Sequence, residues 1–399
     1  MRLDVYLNDY GKRRLVGRLD DRGGEIVFQY APDFLHEELN LSPFLLPLRT
    51  QAFIEDSHVF GGLYGLFEDS IPDGWGRLLL DRRLKSIFPV NHPVGQLERL
   101  ALVGATGIGA LEYEPFLDAK EGPESTIADL TILDTFAQHA IEYLQGESTE
   151  ILDELYVNNG SSGGARPKVV ALVSDDRKDI VFDQARCVTA SLGYAPWLIK
   201  FPNSHDPNSI GKIEYMYSCV ARKAGIEIPP THLFPSNHGP GYFGIQRFDR
   251  YVEPETRRIL KIHVHSACGL LHASHRYSSI DYESLIRLTS LLTQDVRETE
   301  RMVRLMMFNV KSGNKDDHSR NFSFVLLQDG TWKLSPAYDL TPSNGFNGEH
   351  SATVNNKGTD IGDRDLLQVA TSGGLSPAKA KEILQEVSEA VVELLTGSL

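Results

Sequence analysis

Asp316, Asn321 and Asp339 are the residues of this 399-residue chain whose types and spacing most directly suggest chemistry. The first two lie in Gly313-Asn314-Lys315-Asp316-Asp317-His318-Ser319-Arg320-Asn321-Phe322, the third in Ser335-Pro336-Ala337-Tyr338-Asp339-Leu340-Thr341. A carboxylate and an amide oxygen are hard donors of the kind that hold Mg²⁺. A separate carboxylate can orient an attacking hydroxyl and take its proton. Positioning plus neutralisation of negative charge is what transfer of a phosphoryl group from ATP requires. Asp316 is then the catalytic base, with Asn321 and Asp339 as metal ligands. A polar turn between a helix and a hairpin (Phe322–Leu327, then Trp332–Ser335) is the plainer alternative for Asp316 and Asn321; a Tyr-Asp pair following that hairpin argues for chemistry.

The five-residue step from Asp316 to Asn321 is also that of the kinase catalytic loop H-R-D-x-x-x-x-N. Asp317, beside Asp316, ranks second as base. Asp317, His318 and Tyr338 are counted with the nucleotide-binding residues, and His318 is expected to brace the loop by hydrogen bonds.

A second constellation precedes these. The run Asn159-Gly160-Ser161-Ser162-Gly163-Gly164-Ala165-Arg166-Pro167-Lys168 is not a Walker A loop. Small residues nevertheless let backbone N–H groups close on phosphate oxygens, and a cation adds charge. Lys200 sits in the apolar stretch Trp197-Leu198-Ile199-Lys200, where a lysine needs an anionic partner. The α- and β-phosphates of ATP would supply one. His263, His265, Cys268, His272 and His275 imitate a zinc cluster, but no H-E-x-x-H occurs, and packing or surface histidines are expected there.

The elements that must position these residues follow from periodicity. Arg2–Leu7 and Glu25–Tyr30 alternate as strands about the turn at residues 9–12, and residues 43–56 read as loop. Asp73 is a plausible N-cap for a helix over Trp75–Leu84. Strands are predicted at Leu111–Pro115, ending at the proline, and at Val169–Val173, Pro196–Pro202 and Tyr242–Phe248, with helices at Ile127–Leu144 and Ile210–Ala224. From about residue 265 helices dominate: Tyr282–Leu292, Val296–Lys311 and Pro377–Leu395, the last clearly amphipathic. A mixed α/β half thus precedes a mostly α half.

Composition sets the outer limits. A length of 399 residues allows two or three domains. A formal charge of −14 repels phosphate backbones, so DNA binding by this chain alone is not expected. Three cysteines without C-x-x-C spacing suit a reducing compartment. The alternating N-terminus is no signal peptide and no apolar run approaches a bilayer span, so a soluble, cytoplasmic protein without a membrane partner is expected.

Several motifs in order resemble one family. They are Asp69-Ser70-Ile71-Pro72-Asp73-Gly74-Trp75-Gly76, Gly109-Ala110-Leu111-Glu112-Tyr113, Ser161 through Lys168, Ile199-Lys200, Arg247-Phe248-Asp249-Arg250, Gly313–Phe324 and Pro336-Ala337-Tyr338-Asp339. The chain resembles the HipA-type serine/threonine kinases, toxins of bacterial toxin–antitoxin pairs. The resemblance implies an α+β, two-lobed, distant protein-kinase-like fold gripping a nucleotide between its halves. The expected divisions are a β-rich subdomain over 1–115, a nucleotide-binding α/β part over 116–250 and a helical lobe over 251–399. It implies ATP and Mg²⁺ as cofactors, phosphate contacts from Gly163, Gly164, Ala165, Arg166, Pro167, Lys168 and Lys200, and a hinge at Gln246, Arg247 and Phe248 meeting adenine through backbone groups. It further implies inactivating autophosphorylation at Ser161, although Ser162 follows directly and is an equal candidate.

Related toxins phosphorylate aminoacyl-tRNA synthetases, which implies a protein substrate, growth inhibition and persistence. They also imply a helix-turn-helix antitoxin through which alone DNA is reached. Residues 262–275 depart from the family in lacking the acidic His-Gln-Glu-Asp pattern of many relatives. The alternatives are a small-molecule kinase with the same catalytic apparatus, or a catalytically vestigial nucleotide-binding scaffold in a repressor complex.

Overall fold

The computed structural model describes residues 1–117, 126–145, 152–159, 163–182, 193–276 and 280–396. Its class is α+β, in two compact units. Unit 1 comprises residues 1–212 and 231–264, and unit 2 residues 213–230 and 265–399.

Unit 1 holds two sheets. The N-terminal sheet contains β1 (Arg2–Asp9), β2 (Lys12–Asp21), β3 (Ile26–Tyr30), β4 (Phe53–Ile54) and β5 (Leu111–Glu114), in the order β4-β3-β2-β1-β5. Leu3, Val5 and Leu7 alternate with exposed or half-buried neighbours along β1, the period of a strand with one covered face. The stretch read as loop over residues 43–56 does contain the short β4, paired with β3.

The second sheet contains β6 (Thr126–Asp129), β7 (Lys168–Ser174), β8 (Asp179–Phe182), β9 (Tyr194–Lys200), β10 (Thr231–Phe234) and β11 (Tyr242–Gln246). Its order is β10-β11-β9-β7-β8-β6, and its paired neighbours run antiparallel. Every residue of β7 is buried. Val169, Ala171 and Val173 join Trp197, Ile199, Trp75, Phe136 and Tyr143 in one core. A two-stranded ribbon, β12 (Arg250–Val252) and β13 (Ile259–Lys261), closes the unit.

One predicted helix is corrected. Residues 127–129, taken as the start of a helix, belong to β6; the helix runs over Ile132–Gln145. Asp129 Oδ1 accepts the Thr131 N–H at 2.9 Å, a side-chain turn that separates strand from helix.

The chain enters unit 2 through β14 (His263–Ser266), which lies beside β16 (Ser323–Leu326), itself paired with β17 (Trp332–Leu334). A second small pair joins β15 (Ile280–Asp281) to β18 (Ala352–Thr353) in parallel. Helices Tyr282–Thr293, Val296–Ser312, Asp363–Ser372 and Pro377–Thr396 supply the rest of its frame. Asp281 caps the first helix by accepting the Ser284 N–H at 2.6 Å. Gly313, at φ +72°, ends the second in the left-handed region. Ile383, Leu384, Val387 and Val391 form the buried stripe of the last helix. Among the described residues no helix is long and apolar enough to cross a membrane.

Candidate active site

The chemistry-bearing loop of unit 2 begins where Gly313 stops a helix. Its backbone is tied to the segment that follows Asp339: the Ser343 N–H donates to Gly313 O at 3.1 Å and the Ser351 N–H to Lys315 O at 3.1 Å. On this frame Asp316 and Asp317 part company. The Asp316 side chain is 56% exposed, with His318 Nε2 at 3.9 Å from its Oδ1. The Asp317 side chain is wholly buried. Tyr282 Oη donates to Asp317 Oδ2 at 2.8 Å, His350 Nδ1 lies 2.8 Å from the same oxygen, and Oδ1 accepts the Ser351 and Ala352 N–H groups at 2.8 and 3.2 Å.

With both oxygens engaged inside unit 2, Asp317 is a brace instead of the nucleotide contact expected from sequence. Tyr282 passes the connection on: its Oη accepts from Asn309 Nδ2 at 3.0 Å, and Asn309 Oδ1 accepts from Asn314 Nδ2 at 3.0 Å. Burial and the Asp317 carboxylate hold the Tyr282 phenol well above its ordinary pKa, so it remains a donor.

Asn321 ends a short turn of helix over Ser319–Asn321. Its Nδ2 donates to Asp316 O at 2.7 Å, which fixes the orientation of the amide and so of Oδ1. Tyr338 Oη donates to Arg320 O at 2.8 Å and lies 2.6 Å from Ser323 Oγ. Residues flanking the two proposed metal ligands are therefore tied together, and Tyr338 serves as a tie where sequence reading put it at the nucleotide. Asp339 adopts φ +57°, a left-handed conformation that Asp tolerates better than most residues but that still stores strain. An amide oxygen of fixed orientation and a carboxylate, both on pinned backbone, are donors that fit Mg²⁺.

His318 differs from expectation. Its Nδ1 is buried without a hydrogen-bond partner, its Nε2 stands 3.9 Å from Asp316 Oδ1, and its carbonyl accepts the Asn321 N–H at 2.9 Å. The His275 and His318 ring centroids are 5.6 Å apart, and Cys268 Sγ is 3.9 Å from His275 Nδ1. Among the described residues no three His, Cys, Asp or Glu side chains gather to hold a metal.

In unit 1 the Gly-rich loop leads straight into β7. Ser161 and Ser162 lie outside the described residues. Lys168 Nζ donates to Gly163 O. Pro167 O accepts the Phe201 N–H at 2.8 Å, and Arg166 Nε meets Asp206 Oδ2 at 3.0 Å. Lys200, the last residue of β9, is buried, pairs in register with Lys168 on one side and Phe243 on the other, and holds its Nζ 5.7 Å from the Phe243 ring centroid. The structure thus brings Gly163, Gly164, Lys168 and Lys200 to one end of one sheet.

Gln246 ends β11 opposite Trp197, and the Arg247 N–H donates to Pro196 O at 2.9 Å. The Arg247 guanidinium is engaged by Asp249 at 2.9 and 2.6 Å. Asp249, buried, also accepts from Gly109 N at 2.9 Å and Arg250 Nη1 at 2.7 Å. Burial alone would raise its pKa, but Arg247 and Arg250 hold it well below the carboxylate range.

Sequence reading missed the role of Asp73. It precedes the helix Gly74–Ile87 as expected but makes no cap hydrogen bond. Its carboxylate instead accepts the Gly164 N–H, from a position 91 residues away. It also missed His350, Asn309 and Tyr282 as supports of the loop that carries Asp316, since no local pattern marks them.

The chain was compared with known proteins. The profile for HipA-like C-terminal domains matches residues 160–395, and that for HipA N-terminal domains residues 3–114. The Sinorhizobium fredii protein Y4mE is 26% identical over 84% of this chain and 76% of its own length. The serine/threonine-protein kinase toxin HipA of Shewanella oneidensis is 27% identical over 24% of this chain and 26% of its own. Among solved structures, the complex of Shewanella oneidensis MR-1 HipA with HipB and operator DNA matches with a TM-score of 0.69 at 18% identity, covering 99% of this chain and 91% of that one.

Proposed function

The chain belongs to the HipA family, and from that premise we propose that it is an ATP- and Mg²⁺-dependent serine/threonine protein kinase acting as the growth-inhibiting toxin of a toxin–antitoxin pair. The observation that carries this reading is the contrast within one loop: Asp316 half-exposed, Asp317 buried as a brace, and Asn321 turned by its bond to Asp316 O.

In this mechanism Asp316 orients the acceptor hydroxyl and takes its proton as the new P–O bond forms and the bond from the γ-phosphorus to the β–γ bridging oxygen breaks, releasing ADP. Asn321 and Asp339 would hold Mg²⁺, which when bound screens the phosphate charge. Lys200 and Lys168 add positive charge for the phosphates, and backbone at Gln246, Arg247 and Phe248 receives the adenine. Phosphate transfer to Ser161 or Ser162 would add about −1.5 to −2 charges beside the loop meant to hold ATP phosphates, switching the kinase off.

The substrate is proposed to be a protein of the translation apparatus such as an aminoacyl-tRNA synthetase. The partner is proposed to be a helix-turn-helix antitoxin, and a charge of −14 supports DNA being reached only through it. Incubation of the full chain with γ-labelled ATP and bacterial lysate tests the reading. A protein kinase labels a protein band, and Asp316→Asn lowers the rate of labelling by roughly 10²–10⁴-fold. Labelling at the wild-type rate in Asp316→Asn removes Asp316 from its role, and ATP consumption without any labelled protein refutes the protein substrate.

A further inference from the structure

Two hydrogen bonds from one tripeptide converge on the Gly-rich loop. The Asp73 carboxylate accepts the Gly164 N–H, the Trp75 N–H donates to Gly164 O at 2.9 Å, and Gly74 lies between them at φ +47°. A Cβ on Gly74 would overlap the Gly164 carbonyl, one on Gly163 would overlap the Asp73 carboxylate, and one on Gly164 would overlap the Lys168 ammonium. Gly74 and Gly163 are therefore each small because the other segment approaches, and Gly164 because the Lys168 side chain of its own segment folds back on it.

The clamp also has a fixed base. Trp75 is buried in the unit 1 core with Leu79, and its ring meets Tyr143 edge-on at 5.9 Å. On the loop's other side Lys168 Nζ holds Gly163 O. The Gly163–Gly164 backbone is thus gripped from two directions by groups belonging to the protein.

We propose that Asp73 is a positioning residue for the triphosphate, fixing the direction of the loop's remaining N–H groups by taking that of Gly164. This rests on the reading that the loop holds ATP phosphates. Flexible small-residue loops lose conformational freedom when a ligand orders them, and a hydrogen bond made beforehand removes part of that cost. A carboxylate accepts this bond better than a hydroxyl would, because a charged acceptor shortens and strengthens it. Asp73 touches no reacting atom in this scheme. Its influence on the phosphates passes through Gly164. The competing reading makes the carboxylate a plug that takes a phosphate's place, and its sign is opposite: removing a plug tightens nucleotide binding.

Calorimetric titration of the full chain separates these readings, with Mg²⁺ and the non-hydrolysable ATP analogue AMP-PNP in one arm and adenosine in the other. Asp73→Ala and Gly74→Ala are expected to weaken AMP-PNP by about tenfold, the scale of one charge-assisted hydrogen bond. Adenosine affinity is expected to stay within about twofold, because the clamp acts on phosphates alone. Asp73→Asn keeps an acceptor oxygen and is expected to restore most AMP-PNP affinity.

Unchanged or tighter AMP-PNP binding in Asp73→Ala overturns the proposal, as does an equal loss in both arms or an Asp73→Asn protein as weak as Asp73→Ala. A wild-type chain that binds adenosine but gains nothing from the phosphates overturns it too. Wild-type protein that binds neither probe removes the nucleotide reading itself, and the proposal with it.

Discussion

Lys168 and Lys200 stand directly opposite each other on the adjacent antiparallel strands β7 and β9. Residues so paired share one face of a sheet, and the alternate positions Val169 and Ile199 point the other way into the core. Like charges directly opposite one another are unfavourable. A polyphosphate seated there would offset that repulsion, and the two lysines then divide the work, because Lys168 also holds Gly163 O.

Lys200→Met is accordingly expected to lower kcat/KM for ATP by about a hundredfold, the usual scale for losing one preorganised charge donor. Lys168→Met should add a loss of loop order to its loss of charge. Steady-state kinetics at varied ATP checks both, and a Lys200→Met protein with wild-type kcat/KM would detach this end of the sheet from the nucleotide.

The neighbours Asp316 and Asp317 should respond in opposite ways to substitution. Asp316→Asn is expected to leave the urea midpoint unchanged and reduce phosphoryl transfer by roughly 10²–10⁴-fold. Asp317→Ala strips partners from Tyr282, His350 and the Ser351 and Ala352 N–H groups, and should destabilise the fold by on the order of 3 kcal/mol. Paired urea melts and activity assays distinguish them. Equal stability losses would mean that the two carboxylates do not differ in burial as described.

Tyr338→Phe removes the hydroxyl joining Arg320 O to the segment that carries Asp339. The expected cost is about 1 kcal/mol of stability. Half-saturation by Mg²⁺ should shift several-fold higher, because Asn321 and Asp339 are no longer tied through their neighbours. Mg²⁺ titration of initial rates reads this directly, and an unmoved Mg²⁺ dependence would count against the tie.

Lys261 provides a pH signature for unit 1. It donates to Glu112 at 2.8 Å and to Ala105 O at 2.6 Å, yet burial, assisted by Arg250 and opposed by Glu112, lowers its pKa from 10.5 to about 8. Below pH 8 both folded and unfolded states hold the proton, so this group adds no pH dependence. Between about 8 and 10.5 the unfolded chain keeps a proton that the folded one has shed, and stability rises with pH by up to about 1.4 kcal/mol per unit. The wild-type guanidinium midpoint minus that of Lys261→Gln, followed from pH 7.5 to 9.5, should rise over that range. A constant difference would show that Lys261 does not titrate there.

What the residue order determined by itself was everything carried by short-range periodicity and motif spacing. The buried run Lys168–Ser174, the stripe Ile383, Leu384, Val387 and Val391, and the Asp316-to-Asn321 step are visible because their signals repeat within a few residues. Residues 127–129 were misassigned because so short a stretch beside a helix has no period of its own, and pairing with β8 made it part of a strand.

Tertiary structure alone decided which polar groups meet across long separations. Asp73 finds Gly164, Arg166 finds Asp206, and Asp317 finds His350, over 91, 40 and 33 residues. No local rule selects such pairs, because a buried carboxylate must take whichever donors the packed backbone brings near it. Spacing ranked Asp316 ahead of Asp317 as the base but said nothing of burial; the packing of Tyr282 and His350 made one a brace and left the other half in solvent.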